Sequence, residues 1–200
     1  MLAPFSIGEE MPTYTMPFDE LNNLRTFLSE IQPFLLSTEE SERQAAEDAL
    51  MEELWALYGT AYLNGVREAN VQLEGSVEAS ADRFTEQALK VVAGKNFIDR
   101  VEEYAPAGDI EAIYRVADTD AHRLYVSGEL DAAIENGASE KTWHTMEDWR
   151  VRETHDPLEG IKVGINDYFV TFDGDEAQMP GDFTLAENNV NCRCWLTFDY

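Results

Sequence analysis

The sequence predicts an α+β fold: a helical bundle over residues 18–138, then a small mixed domain of short antiparallel strands and loops over 139–200. Three observations lead there. Apolar residues recur at spacings of three and four through most of the first part, the repeat of a helix face. After Ser139 that repeat gives way to β-branched and aromatic residues interleaved with turn formers. A hydrophobic content of 44%, with four Trp, eight Tyr and ten Phe, suffices for a sizeable core in a 200-residue chain.

The elements follow in order. Residues 1–17 hold three of the seven prolines and little periodicity, which predicts a flexible N-terminal arm. In an assembly protein such an arm docks on a neighbouring subunit. From Phe18, Leu21, Leu24, Phe27, Leu28 and Ile31 form a helical stripe that should stop at Pro33. The next helix has Ser37 or Thr38 as its expected N-cap, acids in its first turn, and a packing face of Ala46, Leu50, Leu54, Leu57, Tyr58, Ala61 and Tyr62. "ASADRFTEQALKVVAG" and "NFIDRVEEYA" predict two shorter helices, the first closed by Gly94. A long helix then spans Asp109 to about Asn136, with Ile113, Ala117, Ala121, Leu124, Tyr125, Gly128 and Ala132 on one face and Gly137 as its cap. Gly128 within that face predicts close approach of another backbone. Beyond it, Tyr168–Phe172 reads as a strand, "DGDE" and "PGD" as turns, and "NCRCWLTFDY" as a closing strand.

Charge excludes some functions. Fourteen basic residues face 40 acidic ones, a formal charge of -26, and both parts of the chain share the excess. Phosphate backbones are bound through Lys and Arg, so this balance argues against direct DNA binding. The N-terminus lacks a basic segment followed by an apolar run, and no stretch nears the ~18 apolar residues that span a bilayer. The expectation is a soluble intracellular protein with no membrane partner and reduced cysteines.

The two cysteines, Cys192 and Cys194, stand one residue apart. In a strand they project to one side with Arg193 facing away, and the same rule sets Arg150 beside Arg152. A metal reading takes His155, Cys192 and Cys194 as three zinc ligands, with His144 or Asp148 as the fourth, although structural zinc pairs usually leave two to four residues between cysteines. A catalytic reading pairs a Cys thiolate with His155 as base, giving a metal- or Cys/His-dependent, hydrolase-like enzyme. The plain reading is two small side chains buried near a satisfied histidine. A disulfide between them would close a very small, strained ring. His122, beside Asp118 and Asp120, reads as part of a solvated helix face, and His144 as core or rim. No phosphate-binding Gly loop, nucleophile elbow or His-Glu-x-x-His helix is present, and "DGDEAQMPGD" does not follow the calcium-loop spacing.

Taken in order, Lys141-Thr142-Trp143, Asp148, "RVRETH" (150–155), Leu158-Glu159-Gly160, "PGD" (180–182) and "NCRC" (191–194) resemble the C-terminal domain of the phage head morphogenesis proteins, the Mu F-like minor capsid proteins. The resemblance covers roughly 120–200. The positions that match its motif are Trp143, Asp148, Arg150, Arg152, His155, Gly160, Asn191, Cys192, Arg193 and Cys194. The turn here reads Leu-Glu-Gly where Leu-Asp-Gly is commoner, and the acidity departs from the DNA association suggested for some relatives. Some relatives carry a toxin or transferase domain after this module; the chain ends six residues past Cys194, so none is expected. The resemblance implies a non-enzymatic virion protein present in few copies. It would sit at the portal vertex or inside the capsid, reach it from the host cytoplasm during assembly, and contact the portal protein and other head proteins. Its role would be in head assembly or genome delivery. An acidic DNA mimic is a third reading, and the C-terminal motif argues against it.

Overall fold

The computed structural model describes residues 18–72 and 77–200; the expected arm at 1–17 lies outside the described residues. Five helices come first: α1 (Phe18–Leu35), α2 (Glu40–Gln72), α3 (Ala81–Ala88), α4 (Phe97–Tyr104) and α5 (Ile110–Glu135). Then follow β1 (Glu140–His144), β2 (Lys162–Gly164), β3 (Phe169–Val170), β4 (Glu176–Ala177), the single-turn α6 (Ala186–Asn189) and β5 (Trp195–Asp199). The fold is α+β, as the periodicity predicts.

The axis of the bundle is the α2–α5 pair. The predicted α2 face is buried in full, from Ala46 through Tyr62, against the predicted α5 face from Ile113 through Ala132. The two helices touch backbone to backbone. A Cβ placed on Gly128 would fall 2.2 Å from the Tyr62 carbonyl oxygen, and one on Gly65 would fall 2.0 Å from that of Tyr125. The approach read from Gly128 is therefore reciprocal, with Gly65 as its partner. Asp109 caps α5 by accepting from the Ala112 amide, and Gly137 leaves the helix at φ +86.

Three boundaries differ from expectation. α1 runs two residues past Pro33, because one proline costs a single intrahelical bond while Leu35 is buried and Gln32 Nε2 donates to the Gly108 carbonyl. α2 starts at Glu40, later than a cap at Ser37 or Thr38 would give. The Ser37 hydroxyl instead accepts from the Glu39 amide and donates to Glu42, forming a turn ahead of the helix. α3 is capped by Ser80 and ends at Ala88, short of Gly94. The Arg100 guanidinium takes the Val92 and Lys95 carbonyls, so this stretch closes as a turn with Ala93 and Gly94 both at positive φ.

β1 is the centre of a three-stranded antiparallel sheet ordered β2-β1-β5, and Lys141 and Trp143 point from it into the core. β3 and β4 pair separately. The strand expected over Tyr168–Phe172 shortens to Phe169–Val170, since the chain turns at Asp173–Gly174 and Thr171 already bonds back to Asp175. Alternation survives there: Phe169 and Thr171 face inward while Tyr168, Val170 and Phe172 face out, 52–69% exposed. One continuous core contains residues from both sides of residue 138.

α5 is enclosed all round from Asp120 to Leu130. Glu129 is consequently buried, and burial, with Glu68 adding to it and a Tyr125 hydrogen bond opposing it, pushes its carboxyl from 4.5 up to about 8. The folded chain holds this proton where the unfolded chain releases it. The contribution to stability is full below pH 4.5 and is lost as the pH rises through about 8. Glu129→Gln keeps the side chain neutral at every pH. It should stabilise the fold by about 2 kcal/mol at the alkaline end and little at the acid end. Urea midpoints for both proteins at about pH 5 and about pH 8 check this.

Candidate functional site

The ten motif positions converge around Trp143. Its ring is fully buried and meets His155 edge-on at 5.5 Å, Phe169 at 5.1 Å and Phe183 at 5.6 Å. Gly160, at φ +71, donates its amide to the Trp143 carbonyl at 2.9 Å and returns the chain along β1. His155 precedes a short 3-10 turn (Asp156–Leu158), is itself buried, and lies against Phe183 at 5.2 Å.

Cys192 and Cys194 come before the closing strand, which begins at Trp195; they occupy the extended loop that leads into it. Alternation nevertheless holds, with both sulfurs buried and Arg193 pointing outward. Asn191 adopts φ 57, which lets the chain reverse out of α6. His155 Nδ1 stands 3.7 Å from Cys192 Sγ and 3.5 Å from Cys194 Sγ. The Cys194 hydrogen bond holds the Cys192 thiol well below its ordinary value against the effect of burial, with His122 and His155 assisting. That same bond, together with burial, pushes Cys194 up.

Charged positions form the outer wall. Arg193 grips Asp148 through both guanidinium nitrogens, at 2.9 and 2.6 Å, and this fork, with Arg150, holds the Asp148 carboxyl well below the usual range. Arg150 lies in a turn and Arg152 in the irregular segment after it, so the strand-neighbour reading fails. Arg150 goes to Asp148, and Arg152 donates to the Val190 carbonyl. "PGD" serves to dock its loop on α5: Gly181, at φ +86, lies so close that a Cβ would sit 3.0 Å from that of Arg123, while Asp182 pairs with Lys90 at 2.7 Å.

Neither expected fourth ligand joins the sulfurs. His144 bridges Glu159 at 3.1 Å and Thr197 at 2.9 Å and stacks on Trp195, and Asp148 is taken by arginines. The residue that does arrive is His122. It is buried on α5, where a solvated face was expected, and hydrogen-bonds Cys192. Asp120 is buried beside it and ion-paired to Arg100. The helical stripe of α5 could not signal this, because a second layer, the 178–194 loop, covers the face opposite α2. The one clue was density: Asp118, Asp120, His122 and Arg123 crowd six consecutive positions.

The catalytic reading needs room for a substrate. The cavity at His155 and Cys194 measures about 10 Å³, the space of a single water. A larger cavity of about 340 Å³ opens elsewhere, between α4, α5 and residues 181–190, and contains neither cysteine.

The sequence profile of the family described as "Phage Mu protein F like protein" matches residues 81–197. The chain belongs to this family. The matched span runs from α3 to β5 and includes His122, His155, Cys192 and Cys194. A relative, the minor head protein GP7 of Bacillus phage SPP1, is 31% identical over 86 residues, covering 41% of this chain and 28% of that protein. No solved structure matches.

Proposed function

We propose that this chain is a minor head protein of a phage virion, acting in procapsid assembly or genome delivery through contact with the portal vertex. Membership of the Mu F family over 81–197 carries the reading, and the similarity to the SPP1 minor head protein supports it. The surface agrees. Trp149 is 91% exposed, and Tyr168, Val170 and Phe172 present outward-facing apolar side chains at and beside β3, the kind of surface that marks a protein contact. No helix among the described residues is long and apolar enough to cross a membrane.

Co-expression with the portal protein of the same phage tests the partner. The chain should elute with the portal oligomer, and Trp149→Ala combined with Val170→Asp should weaken that association while leaving the fold intact. A chain that elutes alone in every condition would end the portal reading. The charge of -26 gives a further expectation: no retardation of duplex DNA at low salt, where electrostatic binding is strongest. Salt-sensitive retardation by the purified chain would overturn it.

A further inference from the structure

We propose that His122, His155, Cys192 and Cys194 form a structural Cys2His2 site for zinc that staples α5 to the C-terminal loops. Three ligand atoms, from His155, Cys192 and Cys194, lie within 4.8 Å of one another, and all three residues are buried. The contacts of 3.5 and 3.7 Å between one imidazole nitrogen and two sulfurs are hard to satisfy with protons. Nδ1 has a single in-plane lone pair, so it accepts from one thiol at most. One cation bonds both sulfurs and the nitrogen together. Zn–S and Zn–N bonds of about 2.3 and 2.0 Å at a tetrahedral angle place S and N about 3.5 Å apart, close to the spacings of 3.5 and 3.7 Å present.

His122, buried on α5 beside Cys192, lies outside the three ligand atoms that sit within 4.8 Å of one another, and its imidazole would turn toward them to serve as the fourth donor. The donor set is soft and nitrogen-rich, suited to zinc and unsuited to magnesium or calcium. With His122 as the fourth ligand no coordination position would be left open, which makes the proposed site structural and not catalytic. Loading releases the thiol protons to solvent and changes no oxidation state. The need for a staple is visible locally: between β1 and β5 the regular structure amounts to two- to four-residue elements. The narrow Cys-x-Cys spacing works because Arg193 is anchored outward on Asp148, leaving both sulfurs on the inner side.

The test uses the full chain and does not depend on the head role. Purified protein from zinc-supplemented expression should carry about one zinc per chain by elemental analysis. Cobalt(II) added to zinc-free protein should give the intense visible bands of a tetrahedral site with thiolate charge transfer. Cys192→Ser and Cys194→Ser should each reduce bound zinc at least tenfold. His122→Asn should alter the cobalt bands and weaken cobalt binding, whereas His144→Asn should change neither. Folded wild-type chain that takes up no zinc and gives no tetrahedral cobalt spectrum overturns the site. An unchanged cobalt spectrum in His122→Asn overturns the assignment of the fourth ligand.

Discussion

Gly128→Ala is expected to destabilise the fold by at least about 3 kcal/mol, and Gly65→Ala by a similar amount. A methyl group at either position lands 2.0–2.2 Å from a carbonyl oxygen of the facing helix, and the atom in the way is backbone, which no rotamer change can move. Relief requires α2 and α5 to separate. That separation also opens the contacts of Tyr62, Val66, Leu124 and Tyr125, all of which are buried at or near the crossing. The double variant should cost less than the sum of the singles, because one displacement relieves both clashes. Urea unfolding followed by far-UV circular dichroism reads all three. A loss below about 1 kcal/mol in either single variant would mean the helices do not cross where described.

Asp175→Ala should cost about 3 kcal/mol and act on the C-terminal loops alone. The Asp175 carboxylate accepts from the amides of Glu176 at 3.0 Å, Thr184 at 2.9 Å and Leu185 at 3.0 Å, from Asn188 Nδ2 at 2.9 Å, and from the Thr184 hydroxyl. Removing it leaves several donors in a buried region with no acceptor. Burial tends to raise this carboxyl, but the bonds from Asn188, Thr184 and Leu185 outweigh it and bring the value below 3.8. The stabilisation is present above pH 3.8 and disappears as the pH falls through the lower, folded value. Asn188 also accepts from Thr154, next to His155, so the disturbance should travel to the cysteine loop. Hydrogen exchange would show faster opening over 181–194 with α2 unchanged. Unaltered exchange in that loop would contradict the hub.

The bundle was legible in the sequence because α2 and α5 meet along an apolar stripe on each, and a stripe repeats every three to four residues. Gly128 also signalled the close approach of another backbone, though not that α2 would supply it. Hydrogen bonds between distant residues set the boundaries that differ: Arg100 ends the helix at Ala88, and Gln32 holds the turn after Pro33. No local pattern records those partners. At the site, the motif order brought out Trp143, His155, Cys192 and Cys194, all of which meet. His122 escaped because its burial depends on a loop some sixty residues further along, docked by Gly181 on Arg123. Asp148 and His144 drew attention as ligands by chemistry alone, and each is held by a different neighbour.

Where the protein sits in the particle tests the head-protein reading most directly. Heads assembled with the wild-type chain can be crosslinked and digested, and the linked peptides identified by mass spectrometry. The expected result is a small number of copies per head, linked to portal subunits through the surface around Trp149 and Tyr168–Phe172. Purified heads that lack the chain altogether would contradict a structural role in the head.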